Sequence, residues 1–320
     1  MTEIPASRLQ HFPVAWFSVV MGLGGLTIAW HRAEETLQLP FHVSPYLLAI
    51  STLVFIALAG LYSAKALKFR DSLIKEWNHP IRMNFVPTFS IGLILLSIAW
   101  LPINPAYSQL LWIAGTAAHL MLTFYVITQW VHHTKFEIAH LNPAWFIPVV
   151  GNILVPIAGV HHAPADLSWF FFSLGLFFWP VLTAILFYRL IFHASLAERF
   201  MPTLFIFIAP PAVGFISWYS LVGEIDAFGR VLYFVGLFFA LLLLVQASYF
   251  TRLKFFLSWW AYSFPLAAIT VATFVMYELS GNLLFARLAS ILLGVATVVI
   301  AGLILRTALA VARKEICLQD

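Results

Sequence analysis

Charge and cysteine are both scarce in this sequence. Charged residues make up 9% of its 320 residues, against about 25% in soluble domains, so a soluble enzyme or binding domain is excluded. Cysteine occurs once, at Cys317, which leaves neither an internal disulfide nor a cysteine metal site. The opening residues 1–12 lack the pattern of a cleavable signal peptide, and we expect none. Hydrophobic residues reach 62%, which indicates an integral membrane protein.

The few charges divide the sequence into apolar intervals, each long enough for a membrane-spanning helix of about 20 residues. The interval 83–134 is long enough for two helices and breaks at the turn from Pro102 to Pro105. We therefore predict a single all-α transmembrane domain over residues 1–320, with short tails 1–12 and 307–320 and ten helices arranged as five hairpins. The predicted helices cover residues 13–30, 44–64, 84–101, 106–129, 144–160, 167–188, 202–221, 229–249, 258–278 and 286–306.

The basic residues predict the orientation in the membrane. Of 17 lysines and arginines, only Arg32, Arg230 and Arg287 fall on the side opposite to the termini, and the other 14 fall on the terminal side. Because basic loops remain in the cytoplasm, both termini are expected there. The net charge of +4 is explained by this topology, and we expect no nucleic-acid partner.

Every odd-numbered helix carries a helix-weakening glycine or proline at a corresponding position, 55–70 residues after the previous one. Five in register predict parallel odd helices bent at one depth, which form an inner pore ring with the even helices outside it. An alternative stays open, because glycine and proline are common in membrane helices and small residues also allow close packing without a pore. The residues expected to line the pore or bend its helices are Met21, Gly22, Ile91, Gly92, Val150, Gly151, Ala209, Pro210 and Pro265.

The odd helices carry no charged residue at mid-membrane depth. Proton pumps and many ion-coupled carriers place ionisable side chains there, so a charge-relay mechanism has no carrier in this sequence. A neutral, mostly apolar lumen favours passive permeation through a steric or dewetting gate.

The eleven histidines do not predict a metal enzyme. The pairs His132-His133 and His161-His162 fall on opposite sides of the membrane in this topology, and no metal-binding histidine motif is present. We expect no metal, no cofactor and no enzymatic activity. His119, deep in the fourth helix, is expected to be a hydrogen-bonded packing residue.

The segment Trp259–Pro265 places Phe264 directly before a proline in the ninth helix. A proline bends a helix, and Phe264 is the largest of the five residues that precede the repeated glycine or proline. We predict that Phe264 stands in the lumen as the gate.

The segment Trp259–Pro265, together with ten spans and bent odd helices, resembles the slow-type anion channel family of plant guard cells and its bacterial TehA relatives, named for tellurite resistance. The resemblance implies that Phe264 occludes a pore that conducts small anions such as chloride and nitrate. It also implies a homotrimer with one pore per protomer in the bilayer of a bacterial inner (plasma) membrane. The fungal branch of the family includes malate and sulfite transporters.

Two functions therefore remain open. The first is a passive anion channel, and the second is a secondary transporter or exporter of small oxyanions or dicarboxylates such as tellurite, sulfite and malate. A carrier usually shows inverted repeats, whereas the repeats in this sequence all have the same orientation, which favours the channel.

Overall fold

The computed structural model describes residues 8–317, and these form α-helices and 3₁₀ segments with no β-strand among them. Ten helices are long and apolar enough to cross a membrane, which confirms the predicted fold class and the number of spans. We number them span 1 to span 10: Val14–Leu37, Ser44–Lys68, Arg82–Trp100, Pro105–His132, Pro143–His162, Ala165–Phe192, Glu198–Val222, Ala227–Val245, Leu257–Ser280 and Leu283–Ala312.

The odd and even spans occupy different environments. In each odd span 67–83% of an 18-residue apolar stretch is buried, whereas in each even span the figure is 17–33%. Each odd span packs against the next odd span, and span 9 packs against span 1. The odd spans are therefore interior helices connected in a closed circuit of contacts, and the even spans expose apolar faces, as a lipid environment requires.

The odd spans also differ from the even spans in backbone geometry. Each even span is a single α-helix, whereas each odd span has a 3₁₀ segment in its first half and an α-helix in its second half. The 3₁₀ segments are Val14–Trp16, Arg82–Phe85, Gly151–Leu154, Glu198–Ile208 and Leu257–Tyr262. The α-helices that follow them are Phe17–Leu37, Thr88–Trp100, Val155–His162, Ala209–Val222 and Ser263–Ser280, and span 5 also begins with Pro143–Trp145 and Phe146–Val150.

Proline explains where several of these α-helices begin. Pro156 and Pro210 each occupy the first turn of the α-helix that follows the 3₁₀ segment. Pro265 does the same in span 9. A proline at this place removes no helical hydrogen bond, because the first-turn N–H groups have no acceptor inside the helix. The expected bends at Pro210 and Pro265 therefore coincide with a change of helix type, and Gly151 begins the 3₁₀ segment of span 5.

Gly22 and Gly92 differ from the prediction. Gly22 lies inside the continuous α-helix Phe17–Leu37, and Gly92 lies inside the continuous α-helix Thr88–Trp100. A glycine keeps its backbone N–H and can continue a helix, unlike a proline. The change of helix type in spans 1 and 3 comes earlier in the chain.

Two segments predicted as loop or tail are helical. The predicted loop 65–82 contains the α-helix Arg70–Asn78, and span 10 continues to Ala312 beyond its predicted end. Of the predicted tails, residues 1–7 and 318–320 lie outside the described part of the chain.

A buried ion pair attaches the helix Arg70–Asn78 to the beginning of span 1. Lys65 and Glu76 are 3% and 4% exposed, with Nζ and Oε2 2.6 Å apart. The other carboxylate oxygen of Glu76 accepts a hydrogen bond from Val14 N at 2.7 Å, and Lys65 Nζ donates to the carbonyl of Phe12 at 2.8 Å. The pair thus satisfies main-chain groups that would otherwise be unpaired where span 1 begins.

Candidate functional site: two cavities separated by a constriction

The first halves of all five odd spans surround a cavity of about 80 Å³, which we call the N-side cavity. No ionisable side chain among residues 8–317 lines it. Its polar side chains are hydroxyls that already donate to backbone carbonyls: Ser18 to Ala15 at 2.6 Å and Thr88 to Phe85 at 2.6 Å. The N-side cavity is therefore narrow and almost entirely apolar.

The second halves of the odd spans surround a larger cavity of about 570 Å³, which we call the C-side cavity. Its wide end is charged, with His31, Arg32, Glu35 and His161 in its lining. Arg32 Nη2 lies 3.2 Å from a carboxylate oxygen of Glu278, and His31 Nε2 lies 3.4 Å from one of Glu35. The positive charge at this mouth is therefore largely balanced by carboxylates.

The two cavities are built from layers of five residues, one from each odd span. One layer, which we call the Phe264 layer, lines the N-side cavity and consists of Met21, Ile91, Val150, Ala209 and Phe264. A second layer in the same cavity lies three residues earlier in every span and consists of Ser18, Thr88, Ile147, Ile206 and Ala261.

The layers continue into the C-side cavity at helical spacing. Four residues after the Phe264 layer comes the Leu154 layer, which consists of Gly25, Leu95, Leu154, Val213 and Ala268. Three residues further lies a layer of Ile28, Ile98, Ile157, Ile216 and Val271. Steps of three and four keep residues on one helix face, so one face of each odd span follows the common axis through both cavities.

Three side chains line both cavities: Phe264, Leu154 and Val213. They mark the boundary between the cavities, and we call this group the constriction. Phe264 is 9% exposed. A Cβ on Gly25 would lie 3.2 Å from Phe264 Cδ2, so the phenyl ring packs where span 1 has no side chain. Phe264, predicted as the gate, therefore lies at the boundary between the two cavities.

Hydrogen bonds from neighbouring spans hold the part of span 5 that carries Leu154. The Ser217 hydroxyl donates to the carbonyl of Ile153, and Trp112 Nε1 donates to the carbonyl of Val155 at 3.0 Å. Carbonyl oxygens buried in a membrane protein need donors from the protein itself. These bonds fix the backbone on both sides of Leu154.

Eight of the ten predicted site residues line the N-side cavity: Met21, Ile91, Val150, Gly151, Ala209, Pro210, Phe264 and Pro265. The other two predicted residues pack between helices. A Cβ on Gly22 would lie 2.3 Å from Ser263 Oγ, and one on Gly92 would lie 3.4 Å from Val20 Cγ1. Gly22 therefore allows spans 1 and 9 to approach closely, which is the packing role that the sequence left open for such residues.

Leu154, Val213 and Gly25 were not predicted as site residues. Each lies four positions after a member of the Phe264 layer. That helical offset was the available signal, since a residue four positions later lies on the same face one turn along.

The mouth of the N-side cavity is basic. The 3₁₀ segment Arg82–Phe85 contributes Phe85 to the lining, and Ser258 of the lining donates to the carbonyl of Arg199 at 2.5 Å. His79 lies beside this mouth, where its burial and the nearby Arg82, His140 and Arg199 lower its pKa. Burial is the larger cause of the depressed pKa of His79, and the neighbouring basic groups add to it by disfavouring one more positive charge.

Comparison with known proteins agrees with this geometry. Residues 11–308 match the family described as SLAC1, voltage-dependent anion channel. The chain belongs to the SLAC1 family. The match covers all ten spans except the last four residues of span 10, and the resemblance read from the sequence is thereby confirmed. Members of the SLAC1 family are anion channels and transporters of the membrane rather than enzymes.

SLAC1-family relatives occur in plants, archaea and bacteria. The S-type anion channel SLAH3 of Arabidopsis thaliana is 28% identical over 93% of this chain, which spans only 48% of that relative. An uncharacterized transporter of Methanocaldococcus jannaschii, MJ0762, is 26% identical over 86% of this chain and 87% of its own length. The tellurite resistance protein TehA homolog of Haemophilus influenzae is 25% identical over 85% of this chain and 83% of its own. The chain thus spans about half the length of the plant relative.

Proposed function

We propose that this protein is a passive channel for small monovalent anions such as chloride and nitrate, closed at rest by Phe264. The observation that carries this proposal is that Phe264 lines both cavities. A side chain at the boundary between two spaces on one axis blocks passage for as long as it stays there. The names of the plant relatives as S-type anion channels support the choice of ion.

Both size and dryness make the constriction a barrier. Phe264, Leu154 and Val213 are all apolar, and a narrow apolar neck excludes water, so an ion there would lose its hydration without a substitute. Opening requires Phe264 to leave the axis. A strain of about 30° away from a preferred χ1 costs about 0.5–1.5 kcal/mol, and a full rotation also needs space between packed helices. The closed state should therefore dominate without a stimulus.

The charges favour anions at the N-side end of the pathway, whereas carboxylates largely balance the positive charge at the C-side mouth. The N-side mouth carries Arg82, His140 and Arg199 around His79, and no carboxylate in the described part of the chain lines the N-side cavity. A positive mouth raises the local concentration of anions and repels cations. Selectivity at the constriction then depends on how easily each anion gives up its water.

We also propose an orientation and an assembly. The protein would lie in a bacterial inner membrane with both termini in the cytoplasm, and the excess of basic residues on the terminal side supports this orientation. Both cavities lie within one chain, so each protomer would have its own pathway. A homotrimer, as the family resemblance implies, would then carry three.

Replacement of Phe264 tests the channel directly. Phe264→Ala removes the ring and leaves Pro265 in place, so a nearly silent protein should become constitutively conducting, with Phe264→Leu intermediate. The measurement is anion current through purified protein in planar bilayers at matched reconstitution. The matched control is Phe274→Ala in the same span, since Phe274 is fully buried and lines neither cavity. Phe274→Ala should lower the free energy of unfolding by about 3–5 kcal/mol and should not produce an anion current. Equal currents from Phe264→Ala and the parent would show that Phe264 is not the gate.

A secondary transporter of small oxyanions or dicarboxylates, such as tellurite, sulfite or malate, is the second candidate. Two relatives bear the names transporter and tellurite resistance protein, and a closed constriction between two cavities also suits alternating access. Flux assays in proteoliposomes separate the two functions. Carrier flux follows a proton gradient or is stimulated by substrate on the opposite side of the membrane, whereas channel flux should do neither.

A further inference from the structure

His119 is a buried residue that the gate mechanism does not use. It lies in span 4, is fully buried, and has Nδ1 2.9 Å from Ser90 Oγ of span 3. This hydrogen bond agrees with the expectation that His119 is a hydrogen-bonded packing residue. The other ring nitrogen, Nε2, has no hydrogen-bond partner among residues 8–317. A buried polar atom without a partner is unfavourable, so a packing role alone does not account for this histidine.

The unpartnered nitrogen points at a glycine of the cavity lining. Nε2 of His119 lies 2.8 Å from the position that a Cβ of Gly151 would occupy, and Ile91 Cδ1 lies 2.8 Å from the same point. Both Gly151 and Ile91 line the N-side cavity. Gly151 directly follows Val150 of the Phe264 layer, so the imidazole reaches the seam between spans 3 and 5 at the depth of the gate. A side chain at position 151 would collide with the imidazole, so the close approach of His119 requires glycine there.

An anion in the N-side cavity has few other hydrogen-bond donors. The hydroxyls of Ser18 and Thr88 donate to main-chain carbonyls of their own spans. Trp260 Nε1 donates to Thr307 at 2.9 Å. A proton on His119 Nε2 would therefore be a donor without a competing protein acceptor. The Ser90 hydroxyl lies 2.9 Å from both His119 Nδ1 and the carbonyl of Pro87, and its single proton can go to only one of them. Because Pro87 O already accepts from Ile91 N at 3.0 Å, the hydroxyl can turn to donate to Nδ1, which leaves the neutral imidazole protonated at Nε2.

We propose that His119 Nε2–H, which packs directly behind Gly151 of the lining, is a binding site for a small monovalent anion that enters the N-side cavity. Nε2 is buried behind Gly151 and Ile91, so the anion reaches it when these two residues move apart. This proposal rests on the proposed function, because it assumes that anions enter that cavity. A neutral N–H replaces part of the lost hydration without the cost of a fixed charge in the membrane. It accounts for an anion pathway whose narrow half contains no lysine or arginine.

Nitrogen-15 NMR of histidine-labelled protein in lipid bilayers tests the site without a current measurement. Tautomers are distinguished by their ring-nitrogen shifts, and the His119 signal is assigned by its loss in His119→Gln. We expect the His119 ring to be protonated at Nε2. Its ring-nitrogen chemical shift should change and reach a plateau as nitrate replaces gluconate at constant ionic strength. His162 is the internal control, because its Nε2 already lies 2.8 Å from Ser108 Oγ and should not respond. A proton on Nδ1 alone, or a His119 signal unaffected by nitrate, overturns the proposal.

Two variants at position 119 separate a donor from a packing residue. The variant His119→Met, made in the Phe264→Ala background, fills a similar volume without a hydrogen-bond donor. It should raise the nitrate concentration that half-saturates the current about tenfold, as expected for loss of a hydrogen bond to a charged partner. His119→Gln restores a donor and should recover part of that affinity. Equal behaviour of the two variants at equal yield would show that His119 only packs.

The outcomes for the site and the channel can be told apart. A nitrate-dependent His119 signal in a Phe264→Ala protein that carries no current would keep the anion site and reject the gate. Current through Phe264→Ala with no His119 response to nitrate would keep the gate and reject the site.

Discussion

The same five helices build two cavities of opposite character. In their first halves they enclose about 80 Å³, and no ionisable side chain of residues 8–317 lines that space. In their second halves they enclose about 570 Å³ with His31, Arg32, Glu35 and His161 near the mouth. An anion can keep much of its water in the wide half and has to lose it in the narrow half. The difference places the energetic barrier, and therefore gating and selectivity, at the constriction and the N-side cavity.

The two ends of span 1 show a similar contrast. At its N-side end the pair Lys65–Glu76 is buried, whereas at its C-side end the pair Arg32–Glu278 is about 30% exposed. An exposed pair is weakened by water and salt, but loss of one partner from a buried pair leaves an uncompensated charge. The narrow half of the pathway is thus supported by the stronger electrostatic attachment.

Glu76→Gln should give the largest change in stability, because it leaves Lys65 buried without its counter-charge. We expect a loss of about 3–5 kcal/mol, against about 0–1 kcal/mol for Glu278→Gln. Thermal unfolding of the purified variants in one detergent provides the measurement. Equal losses for Glu76→Gln and Glu278→Gln would contradict the contrast between the two ends of span 1.

A phenylalanine placed on a neighbouring helix should close the constriction again. Val213 lines both cavities, as Phe264 does, so Val213→Phe can occupy the space vacated in Phe264→Ala. We expect the double variant to conduct roughly tenfold less than Phe264→Ala, a barrier of about 1.4 kcal/mol. The control is Val275→Phe, since Val275 lines only the C-side cavity. A similar reduction from Val275→Phe would show that the barrier is not confined to the constriction.

Much of the fold could be predicted because the membrane imposes strong rules. Apolar length gave the number of spans, and glycine and proline in register separated odd from even spans. The bounds were less accurate: span 1 continues to Leu37 and span 10 to Ala312, beyond the ends predicted from charge. A membrane helix can extend past the apolar core when neighbours or solvent satisfy its polar side chains, which composition alone does not show.

The residues that line the cavities could be predicted where their position on one helix face determines whether they line a cavity. They could not be predicted where the packing of two helices determines it. Met21, Ile91, Val150, Ala209 and Phe264 follow from the repeat, since equivalent positions in parallel helices share one depth. Gly22 and Gly92 could not be told from lining residues, because only the neighbouring helix shows what a side chain would meet. The contact between His119 and Gly151 could not be predicted for the same reason, because it joins two different spans.

The order of permeability should reflect the uncharged narrow half. Without a fixed cation in the N-side cavity, anions that dehydrate easily should pass best, so iodide and nitrate precede chloride and fluoride comes last. Bi-ionic reversal potentials of Phe264→Ala measure this order. An order of permeability led by fluoride, or permeation by cations, would show that the uncharged narrow half does not determine selectivity.

Arg32 should have the smallest effect, although it is the only lysine or arginine among the described residues that line either cavity. It lies in the wide, hydrated half and is paired with Glu278, so its field on a passing anion is weak.

In Phe264→Ala, Arg32→Gln should reduce anion current entering from the C-side by roughly twofold at low salt. The effect should vanish near 1 M salt, where the Debye length is about 3 Å, and the order of permeability should not change. Arg287→Gln is the matched control, since Arg287 lies on the same side in span 10 but lines neither cavity. A large effect of Arg32→Gln that persists at high salt would move the selective step from the narrow half into the C-side cavity.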